Sequence, residues 1–355
     1  MQQRDTKCPE KDGVKMIAFL ELQKIIVPEL LDLMEKRYHI LRNISIWQPI
    51  GRRMLANKLQ VGERIVRKET DFLHKQGLLS VEPGGMTVTA EGMRVINELK
   101  ESIYQLHGIR FLRDSLKRKL GVREIHIVSG NIEEEKYVLN DLAKATSTLL
   151  QQIIEDKMII GVTGGSTMAA VAASFTPARK MERVTIVPAR GGFGSEVENQ
   201  ANTIVAQIAR KLGAGYHLLH ASDTLSQETQ KSLLNDPAIK QVVDIIKTTQ
   251  CLVFGIGRAD EMARRRGFTQ EQITYLKNQK AVAESFGFYF TLDGTIVHEI
   301  DMLGINFNDF IKMEHAIGVA GGARKAEAIY TIARLKPSMV LVIDEAAAME
   351  IMKRF

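Results

Sequence analysis

A glycine-rich turn between an apolar run and an alanine-rich segment is the first feature of this sequence that could do chemistry. It reads Thr163-Gly164-Gly165-Ser166-Thr167, after KMIIGV and before MAAVAASF. Glycines allow backbone N–H groups to approach an anion, hydroxyls add donors, and the start of a helix contributes its positive end. The segment therefore predicts a phosphate-binding cradle, with a plain strand-to-helix turn as the alternative.

The turn lacks the features of the common nucleotide motifs. It has no GxGxxG spacing for a dinucleotide and no P-loop lysine for a nucleoside triphosphate. The sequence therefore disfavours nucleotides as the ligand.

Three further strand ends carry glycines and cations in ARGGFG, GVAGGARK and GIGRAD, and the last precedes the run Arg264 to Arg266. An arginine run is more often a solvated helix face. Two cradles and several cations at one sheet edge predict a ligand with two phosphates, or with one phosphate and a polar body. The residues placed to contact phosphate here are Arg190, Gly191, Gly192, Gly321, Gly322 and Lys325.

Catalysis on a sugar phosphate would need a general acid or base near the sugar. The available acids are Asp260, Glu261 and Glu284, and none of the four glycine loops contains a histidine. Three classes stay open on this pattern: a sensor of a sugar phosphate, an isomerase or deaminase that uses one carboxylate, and a passive binding scaffold.

The elements that would position these loops alternate between strands and helices from Glu124 onward. This alternation predicts an α/β fold, a doubly wound and mostly parallel sheet over residues 121–355, with ligands bound beyond the carboxyl ends of its strands. The segment between GIG and HAIGVAGG is predicted to be helical, and YHLLH is predicted to be a strand. His217 and His220 in YHLLH have no further ligand spacing, so no metal site is expected.

The basic excess of the chain lies in its first third. Residues 1–120 carry 22 Lys and Arg against 15 Asp and Glu, whereas the rest carries 26 against 27. Such asymmetry indicates a nucleic-acid-binding part joined to a neutral part, although a solvated lysine-rich surface has the same charge.

Residues 25–90 predict a winged helix-turn-helix. Helices are expected over 51–59 and 63–75 with a tight turn at Gly62, followed by two strands around Pro83-Gly84-Gly85. Met54, Leu55 and Leu59 are expected to share one side of the first helix, and Ile65, Val66, Phe72 and Leu73 to point inward from the second. A helical hairpin with a solvated charged face is the alternative. The residues expected to contact double-stranded operator DNA are Arg52, Arg53, Glu63, Arg64, Arg67, Lys68 and Lys75.

The motifs TGGST, PARGG, GIGRADEM and GVAGGARKAEAI, with the helix-turn-helix, resemble the SorC family of bacterial transcriptional regulators over about residues 24–355. The resemblance implies a fold related to sugar-phosphate isomerases and glucosamine-6-phosphate deaminases, used as a sensor. It also implies a repressor of a glycolytic operon with fructose-1,6-bisphosphate as inducer. The loop after GIG reads RADEM and lacks the histidine of the deaminases, which favours sensing over turnover.

The resemblance also assigns roles within the ligand site. The turn from Thr163 to Thr167 would hold one phosphate together with Lys325. Arg190 and Arg265 would contact the other phosphate or the sugar, and Gln200 and Glu284 would form hydrogen bonds with sugar hydroxyls.

The expected organisation is a tail at 1–24, the DNA-binding domain at 25–90, a helical linker at 91–120 and the effector domain at 121–355. The linker is amphipathic and could pair with a copy of itself, so a homodimer is expected, or a tetramer on DNA. Two cysteines without metal or redox spacing, no long apolar run and no signal-peptide core predict a cytoplasmic protein without membrane contact. No cofactor is expected.

Overall fold

The computed structural model describes residues 27–106, 109–192, 196–222 and 225–355. The tail predicted for residues 1–24 lies outside them, as do Phe193 and Gly194. The chain divides between Phe111 and Leu112 into two compact units. This boundary falls inside the 91–120 segment, which contains two helices, and the linker role of that segment stays a prediction.

The smaller unit contains four helices and one β-hairpin within the described residues. The predicted wing is present, because its two strands pair antiparallel from Leu79↔Val88 to Glu82↔Gly85. Ile50 adds a bridge to Met86 beside them. The elements are α1 (Pro28–Trp47), α2 (Arg52–Leu59), α3 (Glu63–Lys75), β1 (Leu79–Glu82), β2 (Gly85–Val88) and α4 (Ala90–Leu106).

The core of this unit forms where α1, α2, α3 and the wing bury aliphatic side chains together. Leu55, Val66 and Leu73 are almost completely buried, as the helical spacing predicts. The predictions for Met54, Ile65 and Phe72 were wrong, since 59%, 42% and 36% of these side chains are exposed. The buried stripe of α3 instead continues through Glu69 and Thr70.

The turn between α2 and α3 differs from its prediction at one residue. Gln60, and not Gly62, adopts the left-handed conformation, with φ of 54° against −62°. The N–H of Gln60 caps α2 by donating to carbonyls of its last turn, and the left-handed conformation lets the next N–H, that of Val61, donate back to Ala56 at 3.1 Å. The predicted stop at Gly77 is confirmed by its φ of 73°.

The larger unit is built on a seven-stranded parallel sheet. Its strand order is β3-β13-β12-β7-β4-β5-β6. The strands are β3 (Glu124–Val128), β4 (Ile159–Val162), β5 (Thr185–Pro188), β6 (Gly215–Tyr216), β7 (Cys251–Gly255), β12 (His315–Val319) and β13 (Val340–Asp344). The sheet confirms the α/β prediction, but β6 has only two residues and includes only Tyr216 of the predicted YHLLH strand.

The direction of the chain reverses in the middle of this sheet. From β4 it moves outward to β5 and β6, and from β7 it moves the other way to β12 and β13. Parallel connections are right-handed, so connections that run in opposite directions place their helices on opposite faces. A crevice is therefore expected at the carboxyl ends of β4 and β7.

Helices precede, connect and follow these strands. They are α5 (Ile109–Leu120), α6 (Lys136–Ile153), α7 (Ser166–Ser174), α8 (Ala201–Leu212), α9 (Gln227–Leu233), α10 (Pro237–Lys247), α11 (Ala259–Arg265), α12 (Gln270–Asn278), α13 (Phe307–Lys312), α14 (Ala326–Leu335) and α15 (Glu345–Arg354). None of the helices in the described residues is long and apolar enough to cross a membrane.

A second, antiparallel sheet corrects the helical prediction for the segment after GIG. It has the order β11-β10-β9-β8, from β8 (Gly257–Arg258), β9 (Ala281–Ser285), β10 (Phe288–Thr291) and β11 (Ile296–Glu299). The signal was present in AVAESFGFYFTLDGTIVHE, where Phe-Gly and Asp-Gly turns separate runs rich in aromatic and β-branched residues.

Leu55 tests the core of the smaller unit, because it is fully buried in α2. We expect Leu55→Ala to lower the free energy of unfolding of this unit by about 2–5 kcal/mol, through lost apolar burial and the cavity left behind. The single tryptophan, Trp47, packs against the same core, so urea denaturation followed by its fluorescence reports on this unit.

The neighbouring Met54 supplies the matched control, since it lies on the exposed side of the same helix. Met54→Ala should stay within about 0.5 kcal/mol of the wild type. Equal losses in the two variants would contradict the assignment of the core.

Candidate functional site

The loops that follow β4, β5, β7 and β12 meet at the crevice expected from the strand order. They enclose a cavity of about 120 Å³. The predicted site residues in its lining are Thr163, Gly164, Gly165, Ser166, Thr167, Arg190, Arg265, Glu284 and Lys325. Five separate stretches of sequence therefore contribute to one site, since Glu284 adds strand β9 to the four loops.

Close backbone approach explains the first glycine of the turn after β4. A side chain on Gly164 would place its Cβ 2.7 Å from the carbonyl oxygen of Asn199. The N–H of Gly165 donates to that same carbonyl, at 2.8 Å. The turn is thus fixed against the segment that precedes α8, and its shape does not depend on a bound ligand.

The start of α7 supplies hydrogen-bond donors to the cavity. The first intrahelical bond runs from Ala169 N–H to the Gly165 carbonyl, so the amides of Ser166, Thr167 and Met168 have no acceptor within the helix. All three residues line the cavity. Unpaired amides and the positive end of a helix are the features that bind phosphate.

The hydroxyl of Thr163 has a structural partner. It accepts the N–H of Gly255 at 3.3 Å, while the N–H of Thr163 donates to Val253. Thr163 therefore joins β4 to β7 at the base of the crevice, and the hydroxyls of Ser166 and Thr167 are better placed for a ligand.

A buried charge cluster forms one wall of the cavity. Glu284 accepts a hydrogen bond from Arg266 at 3.2 Å and from the N–H of Gly287 at 2.8 Å. Arg190 lies 3.7 Å from the same carboxylate oxygen. All three charged side chains are at least about nine-tenths buried, so the two arginines offset the cost of burying Glu284.

Lys325 reaches the cavity from the loop after β12. Burial lowers the pKa of its ammonium below the ordinary value, and Arg265 acts in the same direction, while the negative charge of Glu261 opposes them. Within the described residues no carboxylate forms an ion pair with Lys325. An anion in the cavity would supply the missing counter-charge.

The second glycine pair does not line the cavity. The N–H of Gly322 donates to both carboxylate oxygens of Asp344, at 2.9 Å each. A Cβ on Gly321 would lie 3.1 Å from the same carboxylate. The repeated glycine pattern therefore corresponds to a cradle that the protein fills with its own aspartate, and the inference of two phosphate cradles loses this support.

Gly191, Gly192 and Gln200 lie beside the cavity and outside its lining. The N–H of Gly192 donates to Ala221 at 2.7 Å, and a Cβ at Gly192 would lie 3.2 Å from the Gln200 side-chain oxygen. Their predicted contacts with a ligand remain a prediction.

The three consecutive arginines lie in three different environments. Arg264 binds Asp260 at 3.2 Å, Arg265 lines the cavity, and Arg266 is buried against Glu284. Sequence reasoning missed Arg266, because a run of three identical residues gives no sign of which one turns inward.

Asp260 lies outside the site. Its carboxylate accepts a bidentate pair of hydrogen bonds from Arg258, at 2.9 and 3.1 Å. Asp260 lines a different, larger cavity of about 550 Å³. The charges of Arg258 and Arg264 lower the pKa of Asp260, although burial opposes them as the largest single influence. The described residues contain no cluster of His, Cys, Asp and Glu suited to a metal.

The outward face of α3 in the smaller unit is mostly basic. On α3, Arg64, Lys68 and Lys75 are exposed, as is Arg53 on α2, whereas the other three predicted contact residues have ion-pair partners. Arg52 binds Asp71 at 2.5 Å, and Arg67 binds Glu63 at 3.1 Å. Arg52 thus joins α2 to α3, which indicates that it orients the motif.

Known families match both parts of the chain. A model of a sugar-binding domain (Sugar-bind) matches residues 105–353, and the CggR N-terminal DNA binding domain matches residues 33–103. The central glycolytic genes regulator of Priestia megaterium is 41% identical over 341 residues, 96% of this chain and 100% of the relative. The Bacillus subtilis regulator of the same name is 38% identical, and the match covers 95% of this chain and 99% of that relative.

Solved structures agree with these matches. A SorC family transcriptional regulator from Enterococcus faecalis has a TM-score of 0.64 at 36% identity, covering 68% of this chain and 99% of that one. The chain belongs to the SorC family of transcriptional regulators. The full-length sorbitol operon regulator SorC of Klebsiella pneumoniae shares the fold over 89% of this chain and 98% of its own, with a TM-score of 0.63 at 17% identity.

Family membership confirms the resemblance and the order of the two parts, a DNA-binding domain followed by a sugar-binding domain. The protein is therefore a DNA-binding transcriptional regulator. The contacts that each residue makes with a ligand or with DNA remain to be tested.

The lowered pKa of Lys325 predicts how ligand affinity depends on pH. A bound phosphate favours the ammonium, so binding takes up a proton once the pH exceeds the pKa of the free site. Affinity for a phosphate-bearing ligand should therefore fall as the pH rises above neutrality toward 10, by at most about tenfold per pH unit. Titration calorimetry in buffers of different ionisation enthalpy measures both effects.

Lys325→Arg is the control, because a guanidinium stays charged throughout this range. Its affinity should change less with pH than that of the wild type. Identical pH profiles would show that Lys325 does not titrate with the ligand.

Proposed function

We propose that the protein represses a glycolytic operon, and that a phosphorylated sugar in the cavity at the β4–β7 crevice weakens its binding to the operator. Fructose-1,6-bisphosphate is the first candidate for this effector. The observation that carries the proposal is the convergence of the α7 amides, Arg190, Arg265 and Lys325 on one cavity. Two relatives that match almost the whole chain are named central glycolytic genes regulators.

The chemistry of the cavity favours phosphate over other anions. The amides of Ser166, Thr167 and Met168 point from a helix start, so they offer several donors to one tetrahedral group. Lys325 and Arg265 add full positive charges. The carboxylates of Glu261 and Glu284 in the same lining are acceptors, and sugar hydroxyls are suitable donors for them.

The size of the cavity suggests how a ligand could change the protein. About 120 Å³ accommodates a phosphate group and part of a sugar, whereas sites for larger ligands usually span about 300–1,000 Å³. A hexose bisphosphate is larger than this space, and we propose that it shifts the residues that line it. Such a ligand binds one arrangement of the wall better than another, and this difference is what allosteric control requires.

The DNA-binding part is supported by the exposed cations of α3. Arg64, Lys68 and Lys75 share its outward face with Asp71, and the wing follows directly. Arginine and lysine on a recognition helix contact guanine edges and phosphates in the major groove. We propose a homodimer as the binding unit, because two half-sites supply contacts that one motif lacks.

An isomerase or deaminase is less well supported. One of its three candidate acids, Asp260, lines a different cavity and is held by Arg258 and Arg264. Glu284 is held by Arg266 and the Gly287 amide. A coupled assay with fructose 6-phosphate or glucosamine 6-phosphate should detect no turnover.

Fluorescence anisotropy with DNA from upstream of the glycolytic operon in the same genome tests the proposal. Binding should be clear at low salt, should weaken steeply with salt and should decrease when fructose-1,6-bisphosphate is added. The absence of binding at low salt would refute the repressor, and indifference to a panel of sugar phosphates would refute the effector.

Two substitutions should separate the functions. Arg64→Ala should weaken operator binding by about 1–3 kcal/mol, the range for a base-contacting arginine, and leave the affinity for fructose-1,6-bisphosphate unchanged. Lys325→Ala should leave operator binding intact and abolish the response to the ligand. Anisotropy and calorimetry on both variants measure the two activities.

Arg94→Ala is the matched control, because this exposed arginine belongs to the same unit but lies in α4, bound to Glu91 and Glu98. It should retain both activities. Equal damage to both activities in Arg64→Ala and Lys325→Ala would contradict a protein with two separate sites.

A further inference from the structure

Asp344 is the most completely hydrogen-bonded buried carboxylate at the edge of the sheet that carries the ligand site. It is 0% exposed at the end of β13. It accepts N–H bonds from Ile132 at 2.9 Å, from Gly322 at 2.9 Å to each oxygen, and from Ala347 at 3.0 Å. Backbone amides in such an arrangement are typical of a site for an anion.

These hydrogen bonds connect three parts of the chain to the Asp344 side chain. Ile132 belongs to the loop after β3, Gly322 to the loop after β12, and Ala347 to the first turn of α15. The Gly322 backbone has φ of 97°, a conformation that favours glycine, and a Cβ there would lie 2.9 Å from the Glu133 side chain. The carboxylate therefore fixes a loop whose own sequence leaves it free to adopt other shapes.

The same loop carries Lys325 to the cavity. The N–H of Lys325 donates to the carbonyl of Gly322 at 3.0 Å, so the residue whose N–H is held by Asp344 is also bonded directly to Lys325. A second tie, Arg324 to Glu133 at 2.7 Å, is largely exposed on its arginine side. Exposed ion pairs contribute little, so Asp344 is the stronger of these two restraints on the loop.

We propose that Asp344 is a positioning residue of the effector site, acting as a built-in anion that holds the Gly321–Gly322 cradle and so places Lys325 at the cavity. The proposal rests on the proposed function, because it assigns Lys325 to the effector. It also gives the second glycine pair a role: the cradle binds a carboxylate of the protein, and the ligand is bound elsewhere.

Removal of this carboxylate should disturb the site in a way that a small anion can repair. In Asp344→Ala the amides of Ile132 and Gly322 lose their acceptor, and Lys325 loses its fixed position. We expect the affinity for fructose-1,6-bisphosphate to fall about ten- to a hundredfold, the range for groups that orient a binding residue from behind. Formate supplied at tens of millimolar should restore both affinity and melting temperature toward the wild type.

Glu345→Gln is the matched control. Glu345 is the next residue, is also buried, and accepts bonds from Ser129 at 3.0 Å and from the Gly130 amide at 3.1 Å. These bonds reach the loop after β3 but not the loop that carries Lys325. The control should lose stability, keep its ligand affinity within about threefold, and show no response to formate.

The results distinguish the proposal from general destabilisation and from simple charge repulsion. Unchanged affinity in a folded Asp344→Ala variant would overturn it, and so would tighter binding that formate weakens. If this variant does not fold, Asp344→Asn, which keeps the size of the side chain, should remain folded with weakened affinity, and unchanged affinity would again overturn the proposal.

The proposed function and this inference can be disproved independently of each other. If the wild type does not bind fructose-1,6-bisphosphate, the effector assignment fails, whereas rescue of the melting temperature by formate still tests the built-in anion. If the wild type binds the ligand and Asp344→Ala binds it equally well, only the positioning role fails.

Discussion

The divergence of the chain between β4 and β7 is the constraint on which the ligand site depends. Two adjacent parallel strands send their connections to opposite sides, so neither connecting segment covers the sheet edge between them. The amides at the start of α7 face this gap. Strands β5 and β12 flank the central pair, and their following loops bring Arg190 and Lys325 to the same place. The cavity is thus a consequence of strand order.

Local signals made the first half of this arrangement predictable. An apolar run followed by TGGST specifies a strand, a turn and a helix start within nine residues, and every group involved is close in sequence. The winged helix-turn-helix was predictable for the same reason. The recognition of Gln60 as the left-handed residue was not, because the choice between Gln60 and Gly62 depends on how α2 and α3 pack.

The second glycine pair shows what a local sequence pattern cannot predict. GVAGGARK has the same local signal as the first turn, yet its anion is Asp344, which lies 22 residues beyond Gly322. A pattern can predict that backbone amides will bind an anion, but it does not identify the anion. The arginine run is similar, since successive residues point about 100° apart around a helix and only the surrounding packing decides that Arg266 meets Glu284.

The charged groups that line the cavity determine how it responds to a bound anion. Its lining is close to neutral, because acids are built in beside the cations. A ligand with one or two phosphates adds negative charge beside Lys325, which has no carboxylate ion pair within the described residues, and it would share Arg190 with Glu284. Buried charges that lose a partner are costly, so a phosphate that drew Arg190 away from Glu284 would disturb this wall, and this is the route by which we propose that the ligand acts. The charged groups in the lining are Arg190, Arg265, Lys325, Glu261 and Glu284.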